Sequence, residues 1–246
     1  MTIALLADIH GNREAMTACL ADAERRHVAQ FIFLGDLVGY GADPRWVIDR
    51  VGEHVERGAL AILGNHDTAA VGAREDMNET AQAAIEWTRR QLDAAQKNFL
   101  GGLPLSIEHE GRLFVHASPI EPARWHYITG SQIARTNLAA THTAQNFCGH
   151  VHIPALYGLS LTGKLMEFSP VAGTAIPLLP GRRWLAVIGA VGQPRDHNPA
   201  ACYALLDDKA NTLTYRRVPY DVATAARKIR EAGLPEILAT RLERGF

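Results

Sequence analysis

Ala59-Leu60-Ala61-Ile62-Leu63-Gly64-Asn65-His66-Asp67 is the stretch from which the rest of the chain can be read. Five apolar residues closed by a glycine predict a buried strand that stops at a tight turn. The turn then sets an amide, an imidazole and a carboxylate side by side at the strand's C-terminal end, the edge where ligands bind in an open α/β sheet. Asn65 can offer a neutral oxygen to a metal, His66 can carry a proton, and Asp67 can hold His66 in one tautomer.

Working outward, the same device recurs. Thr2 to Ala7 predicts a buried strand that delivers Asp8-Ile9-His10-Gly11-Asn12, with Asp8 and His10 on one side by alternation. A helical pattern follows from Asn12 to about His27, with Met16, Leu20 and Ala23 on one face. Phe31 to Leu34 predicts a second strand, ending in Gly35-Asp36. Asp43-Pro44 then opens a helix to about Glu56 by the N-cap and N1-proline rule. Strand, helix, strand, helix, strand at this spacing is a βαβαβ unit, which by itself predicts one doubly wound parallel sheet.

Beyond it, one long helix is expected from Asn78 to about Phe99, then a hairpin of Leu105–His109 and Arg112–Val115 that ends at His116. A short helix at Gln132 to Ala140 and a strand at Gln145 to Cys148 lead into Gly149-His150-Val151-His152. Further strands are expected at Ala155–Leu159, Lys164–Phe168, Trp184–Ile188, Ala201–Asp207 and Leu213–Val218. Asp221 caps a helix to about Ala232, and Gly233-Leu234-Pro235 precedes a last helix. No repeat, low-complexity tract or linker interrupts the 246 residues, so a single domain over 1–246 is expected.

The formal net charge of −1 gives no overall basic field, and the Arg25-Arg26, Arg89-Arg90, Arg182-Arg183 and Arg216-Arg217 pairs are scattered. A stable nucleic-acid complex is therefore not expected. No apolar stretch is long enough to span a bilayer. Cys19, Cys148 and Cys202 are odd in number and lack metal-finger spacing, so they read as reduced thiols of a cytoplasmic protein.

Five of the eleven histidines fall at these strand ends, together with Asp8, Asp36 and Asn65. Carboxylate, amide and imidazole donors without thiolate suit Mn²⁺, Fe or Zn²⁺. Seven candidate ligands, Asp8, His10, Asp36, Asn65, His116, His150 and His152, exceed what one ion with an open water site needs. Two ions sharing a carboxylate would use them all, the arrangement in which metals about 3.5–4 Å apart clamp an in-line phosphoryl displacement.

Asp-x-His, Gly-Asp, Gly-Asn-His-Asp, a lone His and Gly-His-x-His, in this order from Asp8 to His152, resemble the signature of the calcineurin-like metallophosphoesterases. The tail Gly189-Ala190-Val191-Gly192-Gln193-Pro194-Arg195-Asp196 resembles a bacterial subgroup of small predicted phosphoesterases, with Ala190 where that subgroup usually has serine. The resemblance implies a four-layer α/β/β/α sandwich of two mixed sheets flanked by helices. It implies one metal on Asp8, His10, Asp36 and His152, and another on Asp36, Asn65, His116 and His150, with Mn²⁺ favoured. It further implies attack on phosphorus by a hydroxide bridging the two ions, with His66 as general acid oriented by Asp67. Asn12, Asn65 and Arg195 are expected to contact the substrate. The protein Ser/Thr phosphatases of the family carry an arginine shortly after Gly-Asp. Leu37-Val38-Gly39-Tyr40-Gly41 has none, which favours a small phosphodiester, possibly a nucleotide stacked on Tyr40, Trp125 or Tyr127. A phosphomonoesterase and a non-catalytic metal-binding scaffold are the competing readings.

Overall fold

The computed structural model describes residues 1–72 and 77–246. In chain order the elements are β1 (Thr2–Leu6), α1 (Arg13–Glu24), β2 (Gln30–Phe33), α2 (Pro44–Glu56), β3 (Leu60–Ala61), α3 (Asn65–Ala70), α4 (Glu79–Gln91) and α5 (Ala94–Gly101). The hairpin β4 (Ser106–His109) and β5 (Arg112–Val115) follows, then α6 (Ser131–Ala140) and β6 (Gln145–Cys148). The chain ends with β7 (Ala155–Ser160), β8 (Leu165–Phe168), β9 (Ala175–Pro177), β10 (Arg182–Val187), β11 (Ala201–Asp207), β12 (Thr212–Val218), α7 (Val222–Glu231) and α8 (Glu236–Arg244).

The strands form two sheets of six, ordered β3-β2-β1-β11-β12-β9 and β4-β5-β6-β10-β7-β8. In the first, β1, β2 and β3 are parallel, as the βαβαβ spacing requires, but β11 joins β1 antiparallel and β12 and β9 continue that way. The second is also mixed, with β5, β6 and β10 parallel and β4, β7 and β8 antiparallel. The single doubly wound sheet suggested by spacing alone is thus replaced by the sandwich that the family resemblance implied.

Alternation along β1 explains why. Ile3, Leu5 and Ala7 turn toward the second sheet, into a layer they share with its Phe114, Phe147 and Trp184 and with Tyr215 of β12. Ala4 and Leu6 face the other way, onto Met16, Cys19 and Leu20 of α1 and Val47 and Val51 of α2. A strand buried on both faces reads as an unbroken apolar run. The outer face of the second sheet is covered by Ala134 and Leu138 of α6, which pack on Val115, Cys148, Leu185 and Val187. Helix, sheet, sheet and helix are therefore the four layers.

Three expectations are corrected. The long helix from Asn78 divides, because Leu92 is extended and Asp93 starts α5 with a capping box to Gln96. Gly64-Asn65-His66-Asp67 is no simple turn but the opening of α3. Asp43 stands at the N-cap of α2 but makes no capping bond. Its carboxylate and that of Glu14 instead accept from Lys228 Nζ, at 2.9 and 2.6 Å, which ties α7 to the starts of α1 and α2.

Asp22 joins α1 to the sheet in the same way. It accepts from Tyr203 Oη at 2.8 Å, Arg26 Nε at 3.1 Å and Arg216 Nε at 3.2 Å. Burial opposes its ionisation, but these three donors outweigh it and bring its pKa down to about 2. A depressed carboxylate contributes stability that is complete above its unfolded value and is lost as pH falls through the folded one. Asp22→Asn is therefore expected to lower urea stability by about 1–2 kcal/mol at pH 7. The gap to the unmodified protein should close between pH 4 and 2. A gap that stays constant over that range would show that the charge on Asp22 is not what holds α1 down.

Candidate metal centre

The loops that leave β1, β2, β5 and β6 meet at one end of the sandwich. Beyond β1 and β2 the two chains stay zipped, with Asp8 N–H donating to Gly35 O at 3.1 Å and His10 N–H to Asp36 O at 2.9 Å. The sheets are joined across the top by Asp8, whose two carboxylate oxygens accept from the His150 amide at 3.1 and 2.9 Å. Asp8, His10, Asp36, His150 and His152 all have φ between 50° and 67°. Left-handed backbone at five non-glycine residues costs of order 1–3 kcal/mol each and clusters at functional sites.

Glycine is what allows the loops to close on each other. A Cβ at Gly64 would overlap the backbone nitrogen and Oδ1 of Asp36, and one at Gly39 would overlap the His66 ring.

Six side chains fall into two sets that share one carboxylate: Asp8, His10, Asp36 and His152, then Asp36, His116 and His150, with the donor atoms of each set within 4.8 Å of one another. Asp36 Oδ2 lies 3.6 Å from His10 Nε2 and 3.4 Å from His116 Nε2, between the two sets. His152 Nε2 is 3.5 Å from Asp8 Oδ1. All six residues are buried.

The ring orientations suit cations. His10 Nδ1 faces Val38 O at 3.1 Å, His116 Nδ1 faces Leu34 O at 2.7 Å, and His152 Nδ1 faces Gln193 O at 2.6 Å. A carbonyl can only accept, so each Nδ1 carries a proton, and the Nε2 lone pair of each ring in its neutral form turns inward. The Nε2 atoms of His10 and His152 then stand 3.0 Å apart with no proton between them, and His116 Nε2 stands 3.2 Å from His150 Nδ1. Converging lone pairs beside carboxylates are satisfied by a metal ion. Asn65 Oδ1 is likewise buried without a hydrogen-bond partner, although the His66 amide next to it donates to Asp36 Oδ1 at 2.8 Å.

The charges agree. Burial and the nearby charge of Asp36 push Asp8 up to about 8. Burial also works against Asp36, yet His116 and His66 hold it well below the ordinary carboxylate range. Burial lowers His10 and His152, so both rings are neutral and able to ligate. Burial opposes the charge on His116 as well, but Asp36 raises that ring to about 9, a proton that a metal would displace.

The remaining expected site residues are placed as follows. His66 is buried between Tyr40, with ring centroids 4.4 Å apart, and His10, 4.8 Å away, and its Nδ1 has no partner. Asp67 does not orient it. Asp67 accepts from the Val38 and Gly64 amides at 3.1 and 3.0 Å, so it fastens α3 to the loop after β2. Asn12 is not free to bind substrate either. Its Oδ1 caps α1 through Ala15 N–H, and its Nδ2 donates to Gly192 O at 2.8 Å and Tyr220 Oη at 3.3 Å. Arg195 lies over the Tyr40 ring at 5.7 Å. Trp125 is buried edge-on to His116, whereas Tyr127 is half exposed and stacks on His150 at 4.0 Å. The carbonyls of Leu34, Val38 and Gln193, which orient three of the imidazole rings, carried no sequence signal because any residue supplies a carbonyl.

Residues 1–211 match the family model of the calcineurin-like phosphoesterase superfamily domain. The chain is 37% identical to a metallophosphoesterase from Sphaerobacter thermophilus, whose crystal structure superposes with a TM-score of 0.88 over 100% of this chain and 99% of that one. It is 34% identical to the uncharacterized protein MJ0912 of Methanocaldococcus jannaschii, over 98% of this chain and 96% of that protein. The hypothetical protein PH1004 from Pyrococcus horikoshii OT3 shares the fold, with a TM-score of 0.80 at 20% identity over 100% of this chain and 98% of that one. Two mixed sheets, a carboxylate shared by two donor sets and this likeness along the whole chain lead to one assignment: the protein belongs to the calcineurin-like phosphoesterase superfamily.

Proposed function

We propose that the chain is a phosphodiesterase acting on small diesters, nucleotide diesters among them, whose scissile group carries a single negative charge, with a dinuclear centre on Asp8, His10, Asp36, Asn65, His116, His150 and His152. The observation that carries this reading is Asp36 Oδ2 lying between His10 and His116, which provides one carboxylate for two ions. The oxygen and imidazole donors favour Mn²⁺, with Fe or Zn²⁺ as the other candidates. When bound, two such ions supply Lewis acidity toward the phosphoryl oxygens and an attacking water of lowered pKa.

The protein's own part is positioning and proton delivery. Asn65 holds the phosphoryl oxygens, Arg195 meets the substrate from the far side of the Tyr40 ring, and His66 gives a proton to the leaving oxygen. Burial lowers His66 to about 4, and the charges of His116 and Arg195 add to this against Asp36. The ring therefore starts neutral rather than cationic. An anionic ester beside it favours the charged form, so substrate binding is coupled to uptake of a proton from solvent by the ring.

Diester preference rests on the loop after Asp36, where Tyr40 packs on His10 and His66 in a segment that has no arginine. Since β11 and β12 complete the sheet begun by β1, we read residues 1–246 as one catalytic domain. The three buried, unpaired cysteines support a reducing, cytoplasmic setting, and no helix among the described residues is long and apolar enough to cross a membrane.

The test is hydrolysis of bis(p-nitrophenyl) phosphate and p-nitrophenyl phosphate by metal-stripped protein with Mn²⁺ added back. Diester turnover that needs Mn²⁺ and exceeds monoester turnover is expected. A monoester preference overturns the argument from the loop after Asp36. No hydrolysis with both ions bound would make the protein a metal-binding scaffold.

A further inference from the structure

We propose that Arg195, Arg241 and the side-chain amide of Gln193 form an anion subsite beside the metal centre, which takes a second phosphate group of the substrate. This rests on the phosphoesterase reading and narrows it to esters that carry a phosphate other than the one cleaved.

Two buried donors there lack acceptors. Gln193 is almost fully buried, and its Nε2 has no hydrogen-bond partner. Its Oε1 accepts from Arg195 Nε and Nη2 at 3.3 and 3.0 Å, while its carbonyl orients the His152 ring. Arg241 Nε is buried and unpartnered as well. Tyr40 links the two guanidinium groups: Arg195 lies over its ring at 5.7 Å, and the ring packs in one cluster with Leu238 and Leu242, which flank Arg241 on α8. Burial and the charge of Arg195 accordingly lower Arg241. Neither makes an ion pair among the described residues, whereas nearby cations do: Arg217 pairs with Asp196, Lys228 with Glu14 and Asp43, Arg230 with Glu236 and Glu243. Two half-buried like charges without a counter-ion are costly. A phosphate that accepts from both removes the cost.

The arrangement is built rather than incidental. Arg195 N–H donates to His152 O at 3.3 Å, and His197 N–H donates to Gly245 O at 2.6 Å, which clamps the end of α8 to the loop carrying Arg195. Leu238 and Leu242 anchor α8 in a cluster that also contains Tyr40. Tyr40 separates Arg195 from His10 and His66, so the charge is set back from the ligands by one ring. Arg241 lies beyond the residues that match the family model.

The experiment is calorimetric titration of Mn²⁺-loaded full-length protein with methylenediphosphonate and, separately, with orthophosphate. The readout is the ratio of the two affinities. Arg241→Gln is expected to lower the preference for the diphosphonate about tenfold. Arg241→Lys should retain part of it, which also covers a glutamine variant that fails to fold. Arg244→Gln, on the same helix but exposed, should leave the ratio unchanged. An unchanged ratio in Arg241→Gln, or equal weakening of both ligands, overturns the subsite. Because binding is read without turnover, a chain that prefers diphosphonate through Arg241 yet hydrolyses no ester would keep the subsite and lose the hydrolase reading. One that hydrolyses esters and ignores Arg241 would do the reverse.

Discussion

Asp36→Asn is expected to abolish tight binding of both metal ions at once, leaving less than one ion per chain after dialysis and no measurable Mn²⁺-dependent ester hydrolysis. Asparagine keeps the oxygen that accepts from the His66 amide, so the start of α3 should survive. What disappears is the negative charge between His10 Nε2 and His116 Nε2. Partners one step removed from a metal commonly carry 10–100-fold in affinity, and a direct ligand used twice should exceed roughly 100-fold at each position. His150→Ala provides the contrast, because His150 belongs to one donor set only. That variant should retain about one ion per chain. Metal content by mass spectrometry after dialysis reads both outcomes. If Asp36→Asn kept a full complement, or lost only one ion, the shared carboxylate would not be the joint of the site.

Most of this site can be read from the sequence because its donors sit directly after apolar runs. Asp8, Asp36, His116 and His150 each follow a strand or its last apolar residue, and a strand end fixes position without knowledge of the remaining fold. The parts that do not show are of two kinds. Asp67 and Asn12 have the right chemistry at the right place, but each is consumed by a helix-start amide, Gly64 and Ala15 respectively, as short polar side chains there often are, and by a distant backbone group, the Val38 amide and the Gly192 carbonyl. The Leu34, Val38 and Gln193 carbonyls and the approach of α8 depend on which strands pair. The β11–β1 pairing joins residues about two hundred positions apart, a distance over which periodicity carries no information. The same reason hid the second sheet. Strand spacing reports neighbours in sequence, and only the burial of β1 on both faces requires another layer.

His66→Asn should slow turnover by an amount that depends on the leaving group, while both metal ions stay bound. The ring touches Tyr40 and His10, and a Cβ at Gly39 would overlap it. The contact with Asp36 runs through the His66 backbone amide, which the substitution leaves in place. A positioned acid contributes typically 10²–10⁴-fold, and that benefit is realised where the departing oxygen needs a proton. Nitrophenolate is a stable anion and departs with little help, so bis(p-nitrophenyl) phosphate should lose only about tenfold. A dialkyl or nucleoside diester, whose alkoxide is strongly basic, should lose roughly 10²–10⁴-fold. Turnover of the two ester types, measured beside metal content, separates the explanations. Equal losses for both leaving groups would make His66 a residue that positions the phosphoryl group instead of protonating its product. Loss of an ion would move it into the ligand set, and only the graded loss with two ions retained fits a proton donor.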